Sequence, residues 1–129
     1  MPGESGLCLA DGRLTIEDLS RCDLPPDAAQ LAFLSACHTG APSAILADEA
    51  ITMAAAMQLA GFRHVIATMW AIGDSSAPRV AREVYRALLT DEAGDRELPT
   101  AHALHNAIRT LREHGASPVQ WAPYIHCGP

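Results

Sequence analysis

Two short segments of this chain hold side chains that could do chemistry. The first is Ser35-Ala36-Cys37-His38-Thr39-Gly40, where a thiol ends an apolar run just ahead of a glycine loop. A strand can hold such a thiol rigidly while the loop opens it to a substrate, so Cys37 is a candidate nucleophile. The same placement also suits a cysteine that merely packs at the end of a core strand, because free cysteine is among the most buried residue types. The second segment is Thr68-Met69-Trp70-Ala71-Ile72-Gly73-Asp74. Its Trp70 and Asp74 belong beside Cys37 if the two segments end neighbouring strands, and Asp74 has a competing role as cap of the next helix. Cys8, Cys22 and Cys127 form no CxxC pair and no zinc-type spacing with the histidines, so all four cysteines read as free thiols.

The elements that must position these segments follow from the apolar pattern. Leu31-Ala32-Phe33-Leu34 runs into Cys37 and reads as a strand covered on both faces. A helix over 45–60 follows, with Leu46, Ala50, Met53, Met57 and Ala60 as its apolar face and Gly61 as its stop. His64 to Trp70 is a second buried strand. Strand, helix and strand in this order form a right-handed βαβ crossover, and ligands bind beyond the carboxyl ends of such strands. Ser75 or Ser76 caps a further helix carrying Val80, Val84, Ala87 and Leu88. Another helix opens at Pro99-Thr100, with Leu104, Ile108 and Leu111 as its stripe and Gly115 as its stop. Trp121 to Cys127 closes the chain as a strand, and Pro123 assigns it to an edge. Upstream, Asp11-Gly12 between Leu9 and Leu14 signals a hairpin. The expected architecture is three-layer α/β in one domain over 1–129, with a mostly parallel sheet, a short N-terminal hairpin and a C-terminal edge strand.

Composition limits the partners. The 129 residues are 49% hydrophobic and 19% charged, enough for one globular domain. The net charge is -6 and no basic cluster appears, which argues against nucleic acid. No apolar run reaches the length of a membrane span and no secretion signal opens the sequence, so the expected setting is cytoplasmic with no membrane partner. No Gly-rich phosphate loop or redox CxxC calls for a cofactor.

Leu34-Ser35-Ala36-Cys37-His38-Thr39-Gly40 resembles the nucleophile strand of the CHAT family, caspase-like domains usually attached to TPR repeats. The likeness continues through Leu46-Ala47-Asp48-Glu49-Ala50, through Gln58-Leu59-Ala60-Gly61-Phe62-Arg63-His64-Val65-Ile66-Ala67-Thr68-Met69-Trp70, and to Trp121-Ala122-Pro123-Tyr124-Ile125-His126. Ser5 to Thr15 resembles the family's hairpin. The resemblance implies a caspase/separase-type fold and a Cys-His dyad that cleaves peptide bonds, with Cys37 as the nucleophile. It also implies that Trp70 to Asp74 forms a substrate segment in which Asp74 receives a basic P1 side chain. The implied substrate is a protein or peptide.

The sequence departs from the family at one decisive place. The dyad histidine lies upstream of the nucleophile in the family, in a His-Gly motif, and here no histidine precedes His38. Without a base, a thiol of pKa about 8.5 is only a few per cent thiolate at neutral pH. His38 points to the opposite face from its neighbour Cys37. His64 begins its strand at the wrong end of the sheet, and His102, His105 and His114 belong to a helix face or its end. His126 is also remote if the last strand runs antiparallel. The expected function is the nucleophile-bearing, C-terminal part of a CHAT-type cysteine peptidase, inactive alone, that pairs with a complementary or TPR-containing chain or with itself. The alternative is a non-catalytic α/β interaction module with a structural Cys37. A third, weaker reading is a thiol acyltransferase.

Overall fold

A computed structural model describes residues 6–25, 28–35, 43–72, 75–90 and 99–129. β1 (Gly6–Leu9) and β2 (Gly12–Thr15) form an antiparallel hairpin in which Leu9 pairs with Gly12. The two-residue turn is therefore Ala10-Asp11, one position earlier than the Asp-Gly signal suggests. Gly12 instead opens β2 with φ at +156°, a backbone that favours glycine.

The hairpin leads into α1 (Ile16–Ser20), a single turn that the apolar pattern does not announce. Its start is nevertheless encoded: Thr15 and Asp18 form a reciprocal capping box. Hydrogen bonds from the Thr15 hydroxyl and backbone hold the Asp18 carboxyl below its ordinary pKa. Leu19, the buried residue of this turn, joins the core.

The main sheet has the order β3-β4-β5, built from β3 (Leu31–Leu34), β4 (His64–Thr68) and β5 (Tyr124–Cys127). β3 and β4 are parallel, with Leu31 opposite His64 and Leu34 opposite Ala67. β4 and β5 are antiparallel, with Thr68 opposite Tyr124 and Val65 opposite Cys127. The expectation of a mostly parallel sheet is thus corrected to a mixed one. The reason is where the chain enters: the turn at Ala122-Pro123 delivers it beside the C-terminal end of β4, from which it can only run back.

β4 is central and buried along its whole length. Its Val65 and Ala67 pack with Ala32 of β3 against α2 (Ser43–Ala60), through Met53, Ala54, Ala56, Met57 and Ala60. Its Ile66 faces α3 (Ala77–Thr90) and α4 (Thr100–Glu113), meeting Val80, Val84, Leu104 and Leu111. Helices cover both faces, which is why β3 and β4 read as near-continuous apolar runs. The sequence stripes of α3 and α4 hold at Val80, Val84, Leu104 and Leu111, while Ala87 is exposed. α2 departs more: besides its buried face it exposes Ile45, Ile51 and Leu59, the last at 81%. The side chain of Leu46 lies outside the described residues.

The last strand is shorter than expected. Trp121 ends α5 (Pro118–Trp121), a turn opened by a capping box between Ser117 and Gln120 with Pro118 in the first position. Arg112 lies 4.5 Å over the Trp121 ring and secures this turn to α4.

Gly61 ends α2 at φ +115°, and a Cβ there would lie 2.9 Å from Cβ of Leu24, whose backbone N–H binds the Ala60 carbonyl. Both strain and collision oppose a side chain. Gly61→Ala should therefore lower stability by roughly 1–3 kcal/mol, measurable by urea denaturation.

Candidate functional site

Because β3 and β4 are parallel and in register, the chain leaves both at the same edge of the sheet. Ser35 emerges from β3 there and is exposed; Met69 and Trp70 emerge from β4. Cys37 and Asp74 lie outside the described residues, so of the three expected site residues the structure describes Trp70.

Trp70 is half-buried, and its indole Nε1–H donates to the Val119 carbonyl at 2.8 Å. Its single polar group is thereby used within the fold, leaving the ring as what it can offer a ligand. Beyond it, Ser76 is buried and its hydroxyl oxygen accepts from Nε2 of Gln120 at 3.0 Å. Ahead of it, the Met69 N–H donates to the Pro123 carbonyl at 2.9 Å. Met69, Trp70 and Ser76 are thus all tied to one short stretch, 119–123. Sequence reading misses this clamp because 49 residues separate Trp70 from Val119, although the capping box that rigidifies α5 is visible as Ser117-x-x-Gln120. Trp70→Phe keeps the ring and removes the bond. It should cost about 1 kcal/mol in thermal or chemical denaturation, with faster amide exchange at 69–72.

Tyr124, opposite Thr68, lies at this same end of β4. Its hydroxyl is buried without a hydrogen-bond partner among the described residues. Burial pushes its pKa up to about 12, so it stays a neutral phenol at physiological pH and cannot serve as a base there.

The described histidines are elsewhere. His64 lies opposite Leu31 at the amino end of β4, and His126 lies opposite Ile66 with its ring against His64. His102 and His105 are exposed on α4. His114 is exposed beyond α4, with Nδ1–H donating to the Thr110 carbonyl at 2.7 Å. His38 lies outside the described residues.

A pocket of about 200 Å³ opens between α3 and α4, lined among others by Arg79, Arg82 and Thr110. None of the strand-end residues contributes to it. Among the described residues, no three or more His, Cys, Asp or Glu side chains converge as metal ligands, and no helix is long and apolar enough to cross a membrane.

The family comparison gives this geometry its context. The CHAT domain family matches residues 1–129, the whole chain. The chain belongs to the CHAT family. A CHAT domain is a caspase-like, peptidase-related domain, and the junction of β3 with Ser35 is where this chain carries the segment that resembles the family's nucleophile strand. No curated protein matches the chain.

Proposed function

We propose that this CHAT domain carries the nucleophilic half of a cysteine peptidase site and receives its general base from outside the present sequence. The observation that carries this reading is the coincidence of family membership over the whole chain with parallel strands from which the chain emerges at Ser35 and at Met69-Trp70 on one sheet edge. In this reading the Cys37 thiolate attacks the scissile carbonyl and forms a thioester. The amine departs with a proton from the supplied histidine, and water then hydrolyses the thioester. Asp74 receives a basic P1 side chain, and the Trp70 ring forms one wall for it.

Two features support a complementary segment. Among the described residues β3 has a strand partner on one side only, so one edge of Leu31–Leu34 is open to pairing. α2 also shows Ile51 and Leu59 to solvent, which a second chain or TPR-bearing segment would cover. The open edge of β3 and the exposed Ile51 and Leu59 equally suit a second reading, a non-catalytic assembly module in which Cys37 packs structurally.

An electrophilic peptide probe with arginine at P1 separates the two readings. Adding a His-Gly segment of a CHAT relative is expected to increase labelling in the parent chain and not in Cys37→Ala. Asp74→Asn should reduce the preference for arginine over an uncharged P1. Segment-dependent labelling that persists in Cys37→Ala would refute the peptidase reading, and an unchanged preference in Asp74→Asn would leave Asp74 as a helix cap.

A further inference from the structure

At the end of the sheet opposite the candidate site, two imidazoles from neighbouring strands meet. His64 Nδ1 and His126 Nε2 are 3.2 Å apart. The ring centroids are 5.5 Å apart and the planes differ by 26°. That separation is what two imidazoles give when they meet edge to edge, each facing nitrogen lying near the line between the ring centres. A lone pair on one ring therefore faces an N–H on the other. This is the geometry of one shared proton. It differs from a chelate, in which both lone pairs converge on an ion off that line.

The contact is also tightly seated. His64 is fully buried, and Gly128 lays its backbone across the contact. A Cβ at Gly128 would fall 2.9 Å from His64 Nδ1, 3.3 Å from His126 Nε2 and 2.8 Å from the Arg63 carbonyl oxygen, and its φ is +147°. Only glycine lets the chain seat this closely.

We propose that this shared proton is an acid-sensitive latch fastening β5 to β4. With one proton between the rings, one nitrogen donates and the other accepts. Protonating the acceptor puts two N–H groups face to face and breaks the bond. Protonating an outward nitrogen instead places a cation on, or directly against, the fully buried His64 ring. Burial accordingly lowers the His126 pKa from its ordinary value. The sign follows: β5 released into water binds more protons than β5 docked. The latch is therefore complete above the ordinary histidine pKa and weakens as pH falls below it.

Among the described residues, the charged groups on the surrounding elements are paired with one another, turned to the outer pocket or exposed. His64, Ile66 and His126 share the face covered by α3 and α4. On α3, Glu83 pairs with Arg86 at 3.5 Å, while Arg79 and Arg82 line the outer pocket. On α4, Arg109 pairs with Glu113 at 3.8 Å and Arg112 covers Trp121. His102, His105 and His114 are exposed. β5 itself adds Tyr124, neutral in this range, and Cys127, packed toward α2 on the other face. Asp48 and Glu49 belong to α2 on that other face and are exposed, as is Arg63 ahead of β4. β3 contributes the apolar Leu31 and Phe33. Because the Pro123 carbonyl holds Met69, release of β5 also loosens the Trp70 segment at the far end of β4.

Hydrogen exchange of the full chain between pH 7.5 and 5, corrected for intrinsic rates, tests this. Protection at 124–127 should fall severalfold across that range. Amides of α4 should keep theirs, and the step should vanish in His126→Leu. Uniform loss over the whole domain, no loss at 124–127, or a step that persists in His126→Leu would overturn the latch. If His126→Leu does not fold, ¹⁵N spectra of the parent imidazoles decide. The latch requires one N–H between the facing nitrogens at pH 7.5, and two separately solvated rings would refute it.

Discussion

Replacing Ile66 with alanine is expected to destabilise the domain by roughly 2–5 kcal/mol, in the upper part of that range. Ile66 is fully buried at the centre of the middle strand. Its side chain fills the space between the sheet and the α3–α4 layer, among Val80, Val84, Ala103, Leu104, Ala107 and Leu111. These neighbours collapse poorly into a cavity. The alanines have no side chain to move, and valines in a helix are confined to one favoured rotamer. Lost transfer energy and an unfilled void therefore add. Because a domain of this size has a total stability of about 5–15 kcal/mol, the urea midpoint should drop steeply. Leu89→Ala is the matching control: Leu89 is 83% exposed, and its loss should change stability by no more than about 0.5 kcal/mol. Equal effects of the two substitutions would show that Ile66 is not at the centre of the packing.

The same core explains which parts of the fold could be read in the sequence. Leu31–Leu34 and His64–Thr68 are apolar on both faces because both faces are covered, so the two strands announce themselves. Val80 and Val84, and Leu104 and Leu111, mark helices because those faces meet Ile66. Features that depend on a partner distant in sequence were not legible. The direction of β5 follows from the turn at Ala122-Pro123, which no local pattern specifies. The length of β5 was overestimated because Trp121 looks like a strand residue until Pro118 and the Ser117–Gln120 capping box are read as a helical turn. α1 is too short to show periodicity, and only its cap betrays it.

The candidate site divides in the same way. Of the expected residues the structure describes Trp70, just beyond β4. Parallel pairing of β3 with β4 makes the chain leave them at Ser35 and at Met69 on one edge. The tie from Trp70 to Val119 and the contact of His64 with His126 were not legible, because each depends on tertiary register across 49 and 62 residues. The histidine contact changes how those two residues are understood. They meet toward the amino end of β4, away from the end where β3 gives way to Ser35, and as partners of each other they join the last strand to the middle one.

The second large effect concerns Cys37 itself. The chain offers an internal comparison, because Cys8 and Cys22 are exposed free thiols and Cys127 is half-buried. A reagent that merely finds accessible thiols will follow exposure and modify Cys8 and Cys22. A peptidase nucleophile is selected differently: the peptide part of the probe binds first, and the thiolate formed by the neighbouring base reacts within the complex. Labelling of Cys37 should therefore depend on the peptide sequence of the probe and on the added His-Gly segment. Labelling of Cys8 and Cys22 should depend on neither.

The most direct measurement is peptide mapping by mass spectrometry after treatment with the arginine-P1 probe, with and without the His-Gly segment. The nucleophile reading predicts one adduct that depends on the segment, on Cys37, and loss of that segment-dependent labelling in Cys37→Ala. An adduct pattern that follows exposure, with Cys8 and Cys22 modified and Cys37 unmodified in the presence of the segment, would contradict it.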